Sequence, residues 1–178
     1  DINDNDKAAS LYKRAVSIIK DTDKITYASL LLNLALIQTK QKKYEVALKS
    51  LDSSLIIFRE LGSKSYIVNN LFNIAHNHFK LNNLPKAKAF YVESRSIAEE
   101  LDDQYSSLFI YNGLGEVYLK ENKLDSAYYF ASKAFTISKE IKALPEESTA
   151  AKLLYNISKS DGKAEDALEY LEVHDKLK

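Results

Sequence analysis

The sequence predicts an all-α fold, an α-solenoid of about nine helices arranged as antiparallel pairs, and three observations carry that expectation. Small residues recur at Ala8, Ala47, Ala87, Ala127 and Ala167, with successive spacings of 39, 40, 40 and 40. Clusters of turn-forming residues punctuate the stretches between them. The 178 residues are 46% hydrophobic and include only four Gly and two Pro, which is too apolar for a disordered chain and too poor in turn residues for a sheet fold.

The recurring alanine heads a stripe. Four residues after it stands Tyr12, Leu51, Tyr91, Ala131 or Leu171, and three later Ala15, Ser54, Ser94, Ala134 or His174. Positions i, i+4 and i+7 share one face of a helix, so the same face is written five times. Twelve residues before each of the last four alanines lies a second site, occupied by Ala35, Ala75 and Gly115, with Tyr155 as the exception. Small residues suit both sites if the two helices of a hairpin cross closely there, since larger side chains would hold the backbones apart.

Turn signals at 41–43, 62–64, 82–85, 102–104, 121–123, 143–145 and 160–162 divide the chain into helices. The helices are expected near residues 5–20, 24–41, 44–61, 65–81, 84–101, 104–121, 124–141, 145–159 and 163–177. Pro85 and Pro145 stand where a first helical turn would begin, the place at which a missing amide hydrogen does no harm.

Tyr111, Leu114, Gly115 and Tyr118, followed by Ala127, resemble the tetratricopeptide signature: an aromatic, a Leu-Gly pair, a second aromatic and the later alanine. The resemblance implies a right-handed superhelix forming a single domain over 1–178. Its expected parts are a leading helix of a partial repeat at 1–22 and four helix-pair repeats at 23–62, 63–102, 103–142 and 143–178. The leading helix lacks its own first helix, which is the pattern of a fragment from a longer chain. The 40-residue period resembles the long variant found in kinesin light chains, spindle-orientation adaptors and Rap-type bacterial peptide receptors. The Asn- and Lys-rich repeats also resemble those preceding output domains in bacterial sensor kinases and transcriptional regulators.

Composition narrows function. Lys plus Arg equal Asp plus Glu at 25 each, so no global field favours nucleic acid or an anionic membrane, and neither is expected as a partner. Apolar runs such as 34–37 and 55–58 fall far short of the roughly 20 residues that cross a bilayer. Without Cys there is no thiolate chemistry or disulfide, and cytoplasm and periplasm both stay open. His76 and His78 project about 200° apart on a helix and cannot share an ion. With no phosphate loop, nucleophile elbow or HExxH stretch, the domain is expected to need no cofactor or metal and to be no enzyme, any catalytic output lying elsewhere in a longer chain.

The resemblance also locates a ligand. In such solenoids the first helix of each pair lines a concave face, which would present Asn33, Leu36, Phe72, Asn73, His76, Phe79, Asn112, Glu116, Lys152 and Asn156 to a protein or peptide. Asn33 and Asn73 stand where asparagines of similar long-repeat families hold a peptide backbone, although each could equally satisfy a neighbouring backbone group. The carboxylate clamp of chaperone-binding members is matched only by Lys152 with Asn156. Its register partners Leu32 with Leu36, Phe72 with His76 and Asn112 with Glu116 supply no cationic pocket. The expected role is the sensing or docking region of a bacterial signalling or regulatory protein, the alternative being a static scaffold or adaptor that uses the convex face. Apolar faces at open solenoid ends leave self-association as a further possibility.

Overall fold

The computed structural model describes residues 2–19 and 23–178, and among these it contains nine helices and no strand. They are α1 (Ile2–Ile19), α2 (Lys24–Lys40), α3 (Tyr44–Glu60), α4 (Lys64–Lys80), α5 (Leu84–Glu100), α6 (Gln104–Lys120), α7 (Leu124–Glu140), α8 (Leu144–Ser160) and α9 (Ala164–Lys176). Helix ends agree with expectation to within a residue or so, except that α1 starts at Ile2 rather than near residue 5. Residue 1, residue 20 expected to end the first helix, and residues 21–22 expected to close the leading segment lie outside the described residues.

From α2 to α8 each helix is 17 residues long, about 25 Å, and each ends in the same three-residue turn. The middle residue adopts the left-handed conformation at Lys42, Gly62, Asn82, Asp102, Asn122, Lys142 and Gly162, with φ between 51° and 74°. Two backbone bonds close each turn. Lys42 N–H donates to Thr39 O (2.9 Å) and Lys43 N–H to Gln38 O (2.8 Å), and the pair recurs through Gly162 to Lys159 O (3.3 Å) and Lys163 to Ser158 O (2.9 Å). This is the Schellman arrangement, which satisfies carbonyls that a helix end would otherwise orphan. Asp23 and Asp103 then cap the helices that follow, accepting from Thr26 N–H (3.2 Å) and Ser106 N–H (2.9 Å). A 17-residue helix and a three-residue turn make twenty, and two make the forty-residue period of the sequence.

The small-residue sites are buried crossings. Ala28, Ala35, Ala47, Ala75, Ala87 and Ala127 have no exposed surface. A Cβ added to Gly115 would lie 2.9 Å from Leu153 Cδ2 and 3.4 Å from both Ala127 O and Ala131 N, so the helices approach as closely as the glycine allows. A buried hydrogen bond repeats across the hairpins as well. Ser54 Oγ donates to Ala28 O (2.8 Å) and Ser94 Oγ to Val68 O (3.0 Å). One repeat later the position is Ala134, and the next is His174, whose Nδ1 lies 3.0 Å from Ser148 O.

The chain divides into two compact units, Asp1–Ser94 and Arg95–Lys178, the division falling within α5. In the first, consecutive helices from α1 to α4 pack in order and α2 also touches α4. Leu51, Phe58, Val68, Leu71, Ile74 and Tyr91 form its interior. In the second, α6 to α9 pack in order and α6 also touches α8 around Leu108, Leu114, Val117, Leu154 and Ile157. Alternate helices lying side by side give each unit an inner layer of first helices.

Candidate functional site

Two register columns run along the first helices: 32, 72, 112, 152 and 36, 76, 116, 156. Nine of the ten residues expected in a ligand groove stand on these columns or one place beside them, Phe79 being the exception, and the two units fill them differently.

In the first unit the columns are apolar and aromatic. Leu32 is buried and Leu36 is 37% exposed. Phe72 stacks with His76 at 6.3 Å between ring centroids and lies 5.8 Å from the Tyr91 ring. Burial, with a further contribution from the Lys80 ammonium, pulls the His76 imidazole down to about 4, so at neutral pH it is an uncharged ring. Asn33 is exposed. Asn73 spends one amide hydrogen on Asn69 O (2.7 Å) and its backbone carbonyl accepts from Asn77 Nδ2 (2.8 Å). Asn77 is fully buried and accepts from Thr39 Oγ1 (3.0 Å). These asparagines knit α4 to itself and to α2. Phe79 is only 6% exposed and lies in the interior. His76 and His78 diverge, the first toward Phe72 and the second stacked on Phe90 at 5.7 Å.

In the second unit the same columns are polar and converge. Asn112 and Glu116 from α6, Thr149, Lys152, Leu153 and Asn156 from α8, and His174 from α9 line one cleft of about 240 Å³. Four expected residues thus meet in one place. Asn112 Oδ1 is buried with no hydrogen-bond partner, a state that costs about 1–3 kcal/mol when an acceptor is left unmatched. Lys152 Nζ lies 4.5 Å from the Tyr155 ring centroid. His174 Nδ1 lies 2.9 Å from Ser148 Oγ and 3.0 Å from Ser148 O, which ties the ring to α8.

Three lining residues escaped the sequence reading. Leu153 stands in the register column of Asn33 and Asn73, and Thr149 sits one helical turn before Lys152 and Leu153. His174 occupies the register of Ser54 and Ser94, and that offset of 120 and 80 residues was the available signal. A second and larger cleft was also missed. It measures about 510 Å³ and is lined by Tyr111, Asp125, Tyr128, Tyr129, Ser132, Lys133, Thr136 and Ile137, all but the first from α7. Among the described residues no group of three His, Cys, Asp or Glu is placed to hold a metal, and no helix is long and apolar enough to cross a membrane.

Residues 26–100 match the tetratricopeptide repeat family model. No curated protein is similar to the chain in sequence. Solved structures share its fold at low identity. One is BtubC from P. vanneervenii, at 20% identity and TM-score 0.86, with 98% of this chain and 73% of that one covered. A second is aspartyl phosphate phosphatase F from Bacillus subtilis, at 18% and 0.87, with 94% and 44% covered. A third is the Rap conjugation gene regulator of plasmid pLS20 in complex with the Phr* peptide, at 16% and 0.80, with 98% and 49% covered. The chain therefore spans about half the length of the latter two. Residues 26–100 thus carry the sequence pattern of the tetratricopeptide repeat, and nearly the whole length has the fold of a TPR-like solenoid of antiparallel helix pairs.

Proposed function

We propose that the chain is a protein- or peptide-binding module, the sensing or docking region of a bacterial signalling or regulatory protein, and that it holds an extended peptide on the α6–α8 face. The observation that carries this reading is the orphaned Asn112 Oδ1 in the wall of a cleft where carboxamide, carboxylate, ammonium and imidazole groups meet. A peptide offers an N–H and a C=O at every residue, and the Asn112 and Asn156 carboxamides match both whatever the ligand's side chains. Glu116 and Lys152 then add a choice of charge. Support also comes from the pLS20 Rap regulator, which shares the fold and is bound to a peptide. The reading assigns no residue a catalytic role, and the phosphatase name belongs to the Bacillus relative alone.

The test is selection of binders from a random peptide library on the full chain, followed by titration into Asn112→Leu and Lys152→Ala. Enriched peptides that lose affinity about tenfold in either variant support the module, by the cost of one unmatched buried polar group. Peptides that bind all three proteins alike would move the ligand elsewhere, and a library that yields no binder would remove the proposal. A static scaffold is the second reading. The larger tyrosine-lined cleft on α7, a second helix of its pair, favours it.

A further inference from the structure

The cleft on α7 has a chemistry of its own. Its walls are the rings of Tyr111, Tyr128 and Tyr129 with the side chain of Ile137, and its volume of about 510 Å³ falls within the range of ligand sites. Tyr128 and Tyr129 are 38% and 53% exposed, which is more than packing alone requires of two adjacent aromatics.

Lys133 is the central group. Its Nζ lies 5.0 Å from the Tyr129 ring centroid and 5.4 Å from that of Tyr111, and among the described residues it has no carboxylate partner. Ring faces attract an ammonium without neutralising it, so the charge is positioned yet unpaired. The Tyr111 ring is itself fixed, since its hydroxyl donates to Glu99 Oε1 (2.8 Å).

Ser132 stands beside Lys133 and, like Ser158 on α8, has a hydroxyl with no hydrogen-bond partner. Ser53 and Ser160 return their hydroxyls to the carbonyl four residues back. Ser132 Oγ makes no such bond and is buried without a partner. Asp125, two turns before Lys133 and about 12 Å away along the helix axis, places the opposite charge at the far end of the same cleft. Three or four residues of extended chain span that distance, so the cleft matches a segment better than a single small acid.

We propose that this cleft is a second binding site, distinct from the α6–α8 face, for a segment of a partner protein carrying a basic residue, an aromatic or bulky aliphatic residue, and then an Asp or Glu. The acidic residue pairs with Lys133, the apolar side chain lies on the tyrosine rings, and the basic residue meets Asp125. The order of charges along the cleft favours this direction over the reverse, which would set a carboxylate beside Asp125 and an ammonium beside Lys133.

The test titrates two blocked tetrapeptides, Lys-Ala-Phe-Asp and Lys-Ala-Phe-Asn, into the ¹⁵N-labelled full chain and follows amide shifts over residues 125–137. The Asp peptide is expected to bind about fivefold more tightly than its Asn counterpart, the upper end for an exposed ion pair, and Lys133→Gln is expected to erase the difference. Tyr129→Ala should weaken both. Equal affinities, shifts mapping away from α7, or no saturable shift with either peptide would overturn the site. The two-peptide comparison in the unaltered protein decides the matter even if a variant folds poorly.

Discussion

The two units present the same backbone register with different chemistry. Positions 72 and 76 of the first unit are a stacked phenylalanine and an uncharged histidine. Positions 112, 116, 152 and 156 of the second are Asn, Glu, Lys and Asn around one cleft. Asparagine appears in both, and so does a buried amide oxygen without a partner, at Asn70 and at Asn112. Asn73 and Asn77 are tied into α4 by bonds of 2.7 and 2.8 Å, whereas Asn112 keeps a buried oxygen without a partner. A repeat fold fixes where a side chain stands through helix length and crossing, and it leaves each unit free to spend that position on packing or on recognition.

The largest effect should come from the crossing that both units share. Gly115→Val adds bulk against the backbone of α7 and is expected to cost about 3 kcal/mol in urea unfolding. Gly115→Ala should stay within about 1 kcal/mol of the parent, because the gain in helix propensity offsets a shift of Leu153 Cδ2. If Val is tolerated as well as Ala, the close crossing is not what fixes the register.

His76 separates the units next. Its imidazole titrates near 6.5 when unfolded and near 4 when folded, so between those values the unfolded chain binds a proton that the folded one does not. Stability should therefore fall on the order of 2 kcal/mol as pH drops from 6.5 toward 4, with no contribution from this group above 7. In His76→Phe that part of the slope should vanish. An unchanged pH profile would mean that the Phe72–His76 stack is wet.

Within the second unit, Glu116→Gln is expected to change peptide affinity by about 1 kcal/mol, in the direction set by the ligand's charge. The smallest effects belong to the turns. Lys142→Gly should stabilise by about 0.5–1 kcal/mol and Gly162→Ala should destabilise by about 1 kcal/mol, both read from melting curves, since only glycine takes a left-handed φ without strain.

The sequence made the helices legible because period and crossing are both written in small side chains: Ala47, Ala87 and Ala127 on one face, Ala35, Ala75 and Gly115 on the other. The turns were visible as clusters, and Gly62, Asn82, Asn122 and Gly162 suit the left-handed conformation, but Lys42 and Lys142 carry no local signal for it. The spacing of twenty imposes it. Four residues expected from the family resemblance line one cleft, since columns of forty survive into the fold. Thr149 and His174 were not expected there, because their part depends on which helix faces which. Tyr128 and Tyr129 lie off the small-residue stripe and carry no signal in the sequence, and only the fold brings Lys133 between the Tyr111 and Tyr129 rings.

The claim that matters most is that the second unit, and not the first, is the peptide-recognising surface. Amide shift mapping of the ¹⁵N-labelled full chain with a selected peptide tests it directly. The account predicts saturable shifts at Asn112, Glu116, Lys152, Asn156 and His174, with Asn73 and His76 unmoved. Shifts centred on Phe72, Asn73 and His76, with the α6–α8 cleft silent, would contradict it.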